Sequence, residues 1–174
     1  MQCKDRHSPR SSHIRTPFNS PTKVKSIMGL VEIKLVDLAE TAKSIAADKP
    51  VVMVNLIKFK EQATYPEGSP HTSIPGHEAY YSRYIANFSR ISTSMASNPE
   101  DKFKPLFLGN IQANIIAKPY GGDETFDMVG IIHYPNFAAF RKVIECEEYK
   151  ETALPHRLAA IEDYRLYLAT EMVV

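Results

Sequence analysis

The stretch Phe126 to Leu168, FDMVGIIHYPNFAAFRKVIECEEYKETALPHRLAAIEDYRLYL, limits what this chain can fold into more than any other. It reads as a strand, a capped helix, a second helical run and a returning strand. Phe126 to His133 is apolar, of strand length and β-branched in content, which favours a strand. Tyr134-Pro135-Asn136 stops it, because Pro135 has no N–H for a ladder and Asn136 suits a helix N-cap. Phe137, Phe140 and Ile144 then recur at helical spacing, with Ala138 and Val143 beside them. Pro155 fits a first-turn position and restarts a helix whose apolar face continues through Leu158 and Ile161. Tyr164 to Met172 is the second strand.

Upstream, Leu30 to Val36 is a short alternating segment, and Asp37 caps a helix expected to run to about Asp48. Val51 to Lys60 is the first core strand, with Asn55 the odd residue on the face of Val51, Met53, Ile57 and Phe59. Glu61 to Pro75 is a loop holding three prolines, Gly68, Tyr65 and His71. Its length puts it with lids and binding loops. His77 to Met95 is an amphipathic helix with the stripe Tyr81, Tyr84, Ile85, Phe88, Ile91 and Met95. Pro105 to Lys118 alternates as a half-buried antiparallel strand does, and Pro119 to Asp123 is a turn.

After an N-terminal helix, the order is β-α-β-β-α-β, the ferredoxin-like split unit of an α+β protein. Both helices cover one sheet face, and no element remains for the other. A second copy packing sheet to sheet about a two-fold axis would cover it. The expectation is therefore a homodimeric α/β barrel, with a cavity between sheet and helices or between sheets. The chain divides into a basic tail (1–28), an N-terminal segment with its helix (29–49) and the barrel domain (50–174).

Composition removes several function classes. No apolar run approaches the roughly 20 residues that cross a bilayer, so no membrane partner is expected. Residues 1–27 carry six bases against one acid, a charge of +5, while the rest carries fifteen bases against nineteen acids, −4. The acidic folded part argues against nucleic acid. The tail has three readings: a mitochondrial-type presequence, a functional basic tail, or an extension ahead of a start at Met28. The last, together with a plain disordered tail, is favoured. Cys3 and Cys146 are too few for a disulfide framework, and two free thiols suit a reducing compartment. The expected location is cytoplasmic, or mitochondrial if the tail is a presequence.

VVMVNLIKF, GHEAYYSRY, FDMVGIIHYPNFAAF and EEYKETALPHRLAAIEDYRLY together resemble the "domain of unknown function thirteen-thirty" family of the dimeric α/β-barrel superfamily. The resemblance spans roughly residues 50–170. It rests on Asn55-Leu56, Tyr134-Pro135, Tyr149 and His156-Arg157, which are specific in combination and weak singly. It implies the dimeric barrel but no activity. Superfamily relatives include cofactor-independent monooxygenases, isomerases, polyketide cyclases, haem-degrading proteins and stress proteins, so fold cannot choose among them.

The candidate chemistry is sparse. His133 has the opposite parity to Tyr134, so with Tyr134 under the helix it points to the cavity side, where it could move a proton. The bland alternative is a solvent-facing strand-end histidine. Asn55 could steady a developing oxyanion, or merely satisfy nearby backbone. Tyr81 and Tyr65 are candidate substrate contacts from the helix and the loop, as are His156 and Arg157. Arg157 would either hold a carboxylate bidentately or pin its helix to Glu148 or Asp163, and the structural role is favoured. His71 and His77 without a placed carboxylate make no metal site, and no phosphate loop or haem ligand set is present. No cofactor is expected. The leading reading is a cofactor-independent enzyme performing acid/base oxygenation, cyclisation or isomerisation on an aromatic or polyketide-like substrate. The alternatives are a non-catalytic binding or stress-response dimer with the same pocket, and a purely structural module.

Overall fold

The computed structural model describes residues 35–116 and 124–172. The basic tail, most of the Leu30–Val36 segment and the Pro119–Asp123 turn lie outside the described residues. Asp37 caps α1 (Leu38–Ala42), its carboxylate accepting from Ala39 N and Glu40 N at 2.9 and 3.0 Å. This helix lasts one turn, short of the expected end near Asp48. The Ser44 hydroxyl turns back onto Thr41 O at 2.8 Å, a local bond that competes with helix continuation.

Four strands form one antiparallel sheet in the order β2-β3-β1-β4, from β1 (Val51–Phe59), β2 (Lys104–Asn110), β3 (Met128–Tyr134) and β4 (Ile161–Ala169). That strand order, with its crossing helices, is the ferredoxin-like split unit. β2 is shorter than the alternation through Lys118 suggests. Ile111 N still reaches Asp127 O at 2.8 Å, but β3 begins at Met128. An alternating segment with no neighbouring strand has no ladder to join.

One unbroken helical run crosses from β1 to β2: α2 (Gly76–Ala79), a π-helical turn (Tyr80–Ile85) and α3 (Ala86–Met95). It starts at Gly76 because no side chain fits there. A Cβ would lie 2.2 Å from Lys60 O and 2.7 Å from Ala160 O. The return from β3 to β4 uses α4 (Phe137–Ile144), α5 (Glu147–Thr152) and α6 (Leu154–Ala160). Asn136 caps α4 through Ala139 N at 2.8 Å, and Pro155 sits in the first turn of α6, as the sequence suggests. Loop 61–75 is tied down, with Thr64 N on Ala159 O at 2.9 Å and Ala63 N on Ile74 O at 2.8 Å.

The helices pack on the face of Val51, Met53 and Ile57, joined by Met128 and Tyr134, all buried. The opposite face carries Val52, Val54 and Leu56 from β1 with Val129 and Ile131 from β3, and Arg165 and Tyr167 from β4. None of these is fully buried, and Tyr167 is exposed. No described element covers that face.

Candidate functional site

The helical run between β1 and β2 builds one wall of a cavity through its π turn. One extra residue per turn shifts the phase of the side chains, and such turns often mark functional positions. Tyr80, Tyr81, Tyr84, Ile85 and Phe88, at spacings i, i+1, i+4, i+5 and i+8, share one face of the run and line the same space. Sheet residues Met53, Asn55, Gly130, Ile132 and Tyr164 form the opposite wall. The cavity between them measures about 370 Å³, within the usual range for a small-molecule pocket.

Arg157 lines this cavity from α6 and is only 6% exposed. Its Nη1 donates to the Tyr149 hydroxyl at 3.1 Å, and its Nε has no hydrogen-bond partner. The guanidinium lies 4.3 Å from the centroid of the Tyr164 ring and 5.4 Å from that of Tyr84. Burial works against its charge, but the phenols of Tyr164, Tyr84, Tyr149 and Tyr80 hold its pKa well above the ordinary value. It stays a cation. Burial likewise pushes the Tyr80, Tyr84, Tyr134 and Tyr164 phenols up, so they remain protonated donors near neutral pH.

Neither acid considered for Arg157 meets it. Glu148 pairs with Arg90, Asp163 pairs with Arg165, and no ion pair among the described residues includes Arg157. The expected acid partner is therefore corrected. A hydrogen bond to one tyrosine and two aromatic faces stand where a carboxylate was expected.

Asn55 is fully engaged by protein. Its Nδ2 donates to Met53 O at 3.1 Å and Gly130 O at 3.2 Å, and its Oδ1 accepts from the Tyr164 hydroxyl at 2.7 Å. Both amide protons are spent on strand carbonyls, so the side chain has none left for a substrate oxygen. His133 pairs across the ladder with Val52, putting it on the opposite sheet face from Asn55, which pairs with Gly130. The structure does not bring these two together. The His133 Nδ1 is buried there without a partner.

Of the expected substrate contacts, Tyr81 lines the cavity mouth, 45% exposed, with its hydroxyl 3.2 Å from Met128 Sδ. Tyr65 and His156 meet elsewhere, under loop 61–75. Arg83 Nη1 donates to the Tyr65 hydroxyl at 3.0 Å, which in turn lies 3.0 Å from His156 Nδ1. His71 completes that group, its ring centroid 4.5 Å from that of His156. Consecutive residues of α6 thus serve two places: Arg157 the cavity, His156 the loop.

Sequence reasoning missed Tyr80 and Tyr164 as cavity residues. Tyr80 stands four residues before Tyr84 and eight before Phe88, so the helical spacing itself was the signal that could have placed it on the stripe. Tyr164 shares a register face with Ile57, and only the pairing of β1 with β4 reveals that. The cavity-lining side chains include phenols, Lys102 and Arg157, but no carboxylate or imidazole. Such a site can bind an anion, steady developing negative charge and donate hydrogen bonds. It holds no evident base.

No protein-family model matches the chain, and no curated protein does. Among solved structures it is similar to the methylated RPA0582 protein, at 30% identity and a TM-score of 0.63, covering 78% of this chain and 89% of that one. It is also similar to the RPA0582 protein of unknown function from Rhodopseudomonas palustris, at 28% identity and a TM-score of 0.62, covering 78% and 92%. A looser match, at 10% identity and a TM-score of 0.38, is to a dimeric protein of unknown function and ferredoxin-like fold from Bacteroides fragilis, covering 72% of this chain and 100% of that one. That likeness is too slight to bear on the site.

Proposed function

The chain belongs to the family of the RPA0582 protein, and from that premise we propose that it receives a small, mainly apolar or aromatic molecule between its sheet and helices. One observation carries this reading: an aromatic-walled cavity of about 370 Å³ whose polar side is the linked set Asn55, Tyr164 and Arg157. A well-formed apolar pocket with a few convergent polar groups is the usual form of a ligand site. Binding is the primary role. Cofactor-independent catalysis is the second reading, supported by Arg157. A desolvated cation at the cavity wall would stabilise an oxyanion as it forms.

The sequence motifs around Asn55, Tyr134 and His156-Arg157 support placing this family in the domain of unknown function thirteen-thirty group. The uncovered sheet face supports a second copy packed there, giving the homodimeric α/β barrel. In that arrangement His133 would face the space between the sheets and serve a separate site.

Titration of the purified full chain with two-ring aromatic probes tests the binding reading. One probe should bind per chain, and Ser89→Trp, which narrows the cavity wall, should abolish binding while the far-ultraviolet dichroism stays unchanged. Failure of acidic, neutral and basic probes alike to bind at millimolar concentration would overturn it.

A further inference from the structure

We propose that the molecule held in the sheet–helix cavity carries a carboxylate and that Arg157 is the group that anchors it. This rests on the cavity being a ligand site and adds the chemical class of the ligand. Arginine is almost never fully buried unless paired, yet Arg157 is 6% exposed with no acid among the described residues to balance it. Its surroundings supply dipoles and ring faces, through Tyr149, Tyr84 and Tyr164, but no countercharge.

A lysine in this position could shed its proton and end the imbalance. Arginine cannot, so the empty cavity keeps an unbalanced positive charge. The guanidinium also keeps an unused donor. Nη1 is engaged by Tyr149, whereas Nε is buried and unpartnered. Nε belongs to the edge of the guanidinium that takes both oxygens of a carboxylate in parallel. The unpaired charge and the unused donor sit on one residue that lines the cavity. A flat carboxylate attached to an apolar ring body satisfies both, with its ring against the aromatic wall.

Charge fixes the class further. Arg157 is the one fully buried cation on a wall that also carries the half-buried Lys102, so one negative charge is what the buried part of the cavity lacks. Asn55 does not compete for that anion, because its amide protons go to Met53 O and Gly130 O. The wall offers an anion donors and no repelling carboxylate.

A matched series of 2-naphthoate, 2-naphthamide and 2-naphthylmethylammonium, titrated into the full chain at pH 7.5, separates the possibilities. The naphthoate should bind about tenfold tighter than the amide, a difference of about 1.4 kcal/mol, and the ammonium should bind weakest. In Arg157→Gln the acid-to-amide ratio should fall to about one. If acid and amide bind wild-type protein equally well, the carboxylate anchor is wrong and the cavity reading stands. If no member of the series binds, both are wrong. Should Arg157→Gln not fold, the order of the three probes on the wild-type chain still decides.

Discussion

The guanidinium carbon of Arg157 lies 4.3 Å from the centroid of the Tyr164 ring, and the hydroxyl of that same ring donates to Asn55 Oδ1 at 2.7 Å. Tyr164 therefore ties the charge on α6 to the central strand. A desolvated contact of this kind contributes about 2 kcal/mol, set against the cost of burying a cation with no anion beside it. Arg157→Lys loses the planar stack and the fork, and should lower unfolding free energy by about 2 kcal/mol. Arg157→Met removes the buried charge at similar volume and should match or exceed wild type by about 1 kcal/mol. Urea denaturation of the ligand-free proteins gives the order. A lysine variant as stable as wild type would show that the stack contributes nothing.

The Tyr164–Asn55 bond can be weighed by itself. Tyr164→Phe preserves the ring beneath Arg157 and leaves Asn55 Oδ1 without its donor, a loss of about 1–2 kcal/mol. Asn55→Ala should cost more, because it also strips the bonds to Met53 O and Gly130 O. In a double-mutant cycle the two losses should fall short of additive by about 1 kcal/mol. A cycle that closes to zero would mean that the hydroxyl finds water as readily as Asn55.

How far the sequence could be read follows from what kind of fact each feature is. The strand at Val51–Phe59, the stop at Tyr134-Pro135-Asn136 and the restart at Pro155 are local, set by β-branching, a missing N–H and a fixed φ. Those were legible. The sheet order followed from them, because few topologies link such elements without crossings. The cavity was not legible in the same way. Whether Asn55 and His133 converge depends on cross-strand parity, and the register places them on opposite faces. The partner of Arg157 depends on which acids other arginines have taken, namely Glu148 by Arg90 and Asp163 by Arg165. Competition among distant residues leaves no trace in spacing.

His156 gives a prediction in pH. Burial, followed by the nearby His71 and Arg83, holds its pKa below the ordinary 6.5. The Tyr65 hydroxyl, which accepts from Arg83, lies 3.0 Å from His156 Nδ1, so the Arg83 charge reaches the imidazole through one intervening group. The unfolded chain takes up a proton near 6.5 and the folded chain only lower down, so this stabilisation is whole above 6.5. It is lost as pH falls through 6.5 toward the folded value. Unfolding free energy should therefore drop on acidification from pH 7.5, and His156→Gln should flatten part of that slope. Identical slopes for variant and wild type would remove His156 as a source.

The open sheet face makes the last prediction. Val54 stands at its centre, across the ladder from Ile131 on one side and Tyr167 on the other. If that face meets only water, Val54→Lys changes little, since the long side chain lays its stem along the sheet and keeps its charge solvated. If a second copy packs there, the same substitution buries two unpaired ammonium groups about the two-fold axis, which no such interface tolerates. Sedimentation equilibrium at micromolar concentration should find wild type as a dimer and Val54→Lys as a monomer of unchanged dichroism. Loss of the dimer with the fold kept is the distinguishing result, because general destabilisation would remove both. A monomeric wild-type chain at that concentration would leave the face bare and the second copy without support, while the Arg157 cavity, on the other side of the sheet, would be untouched.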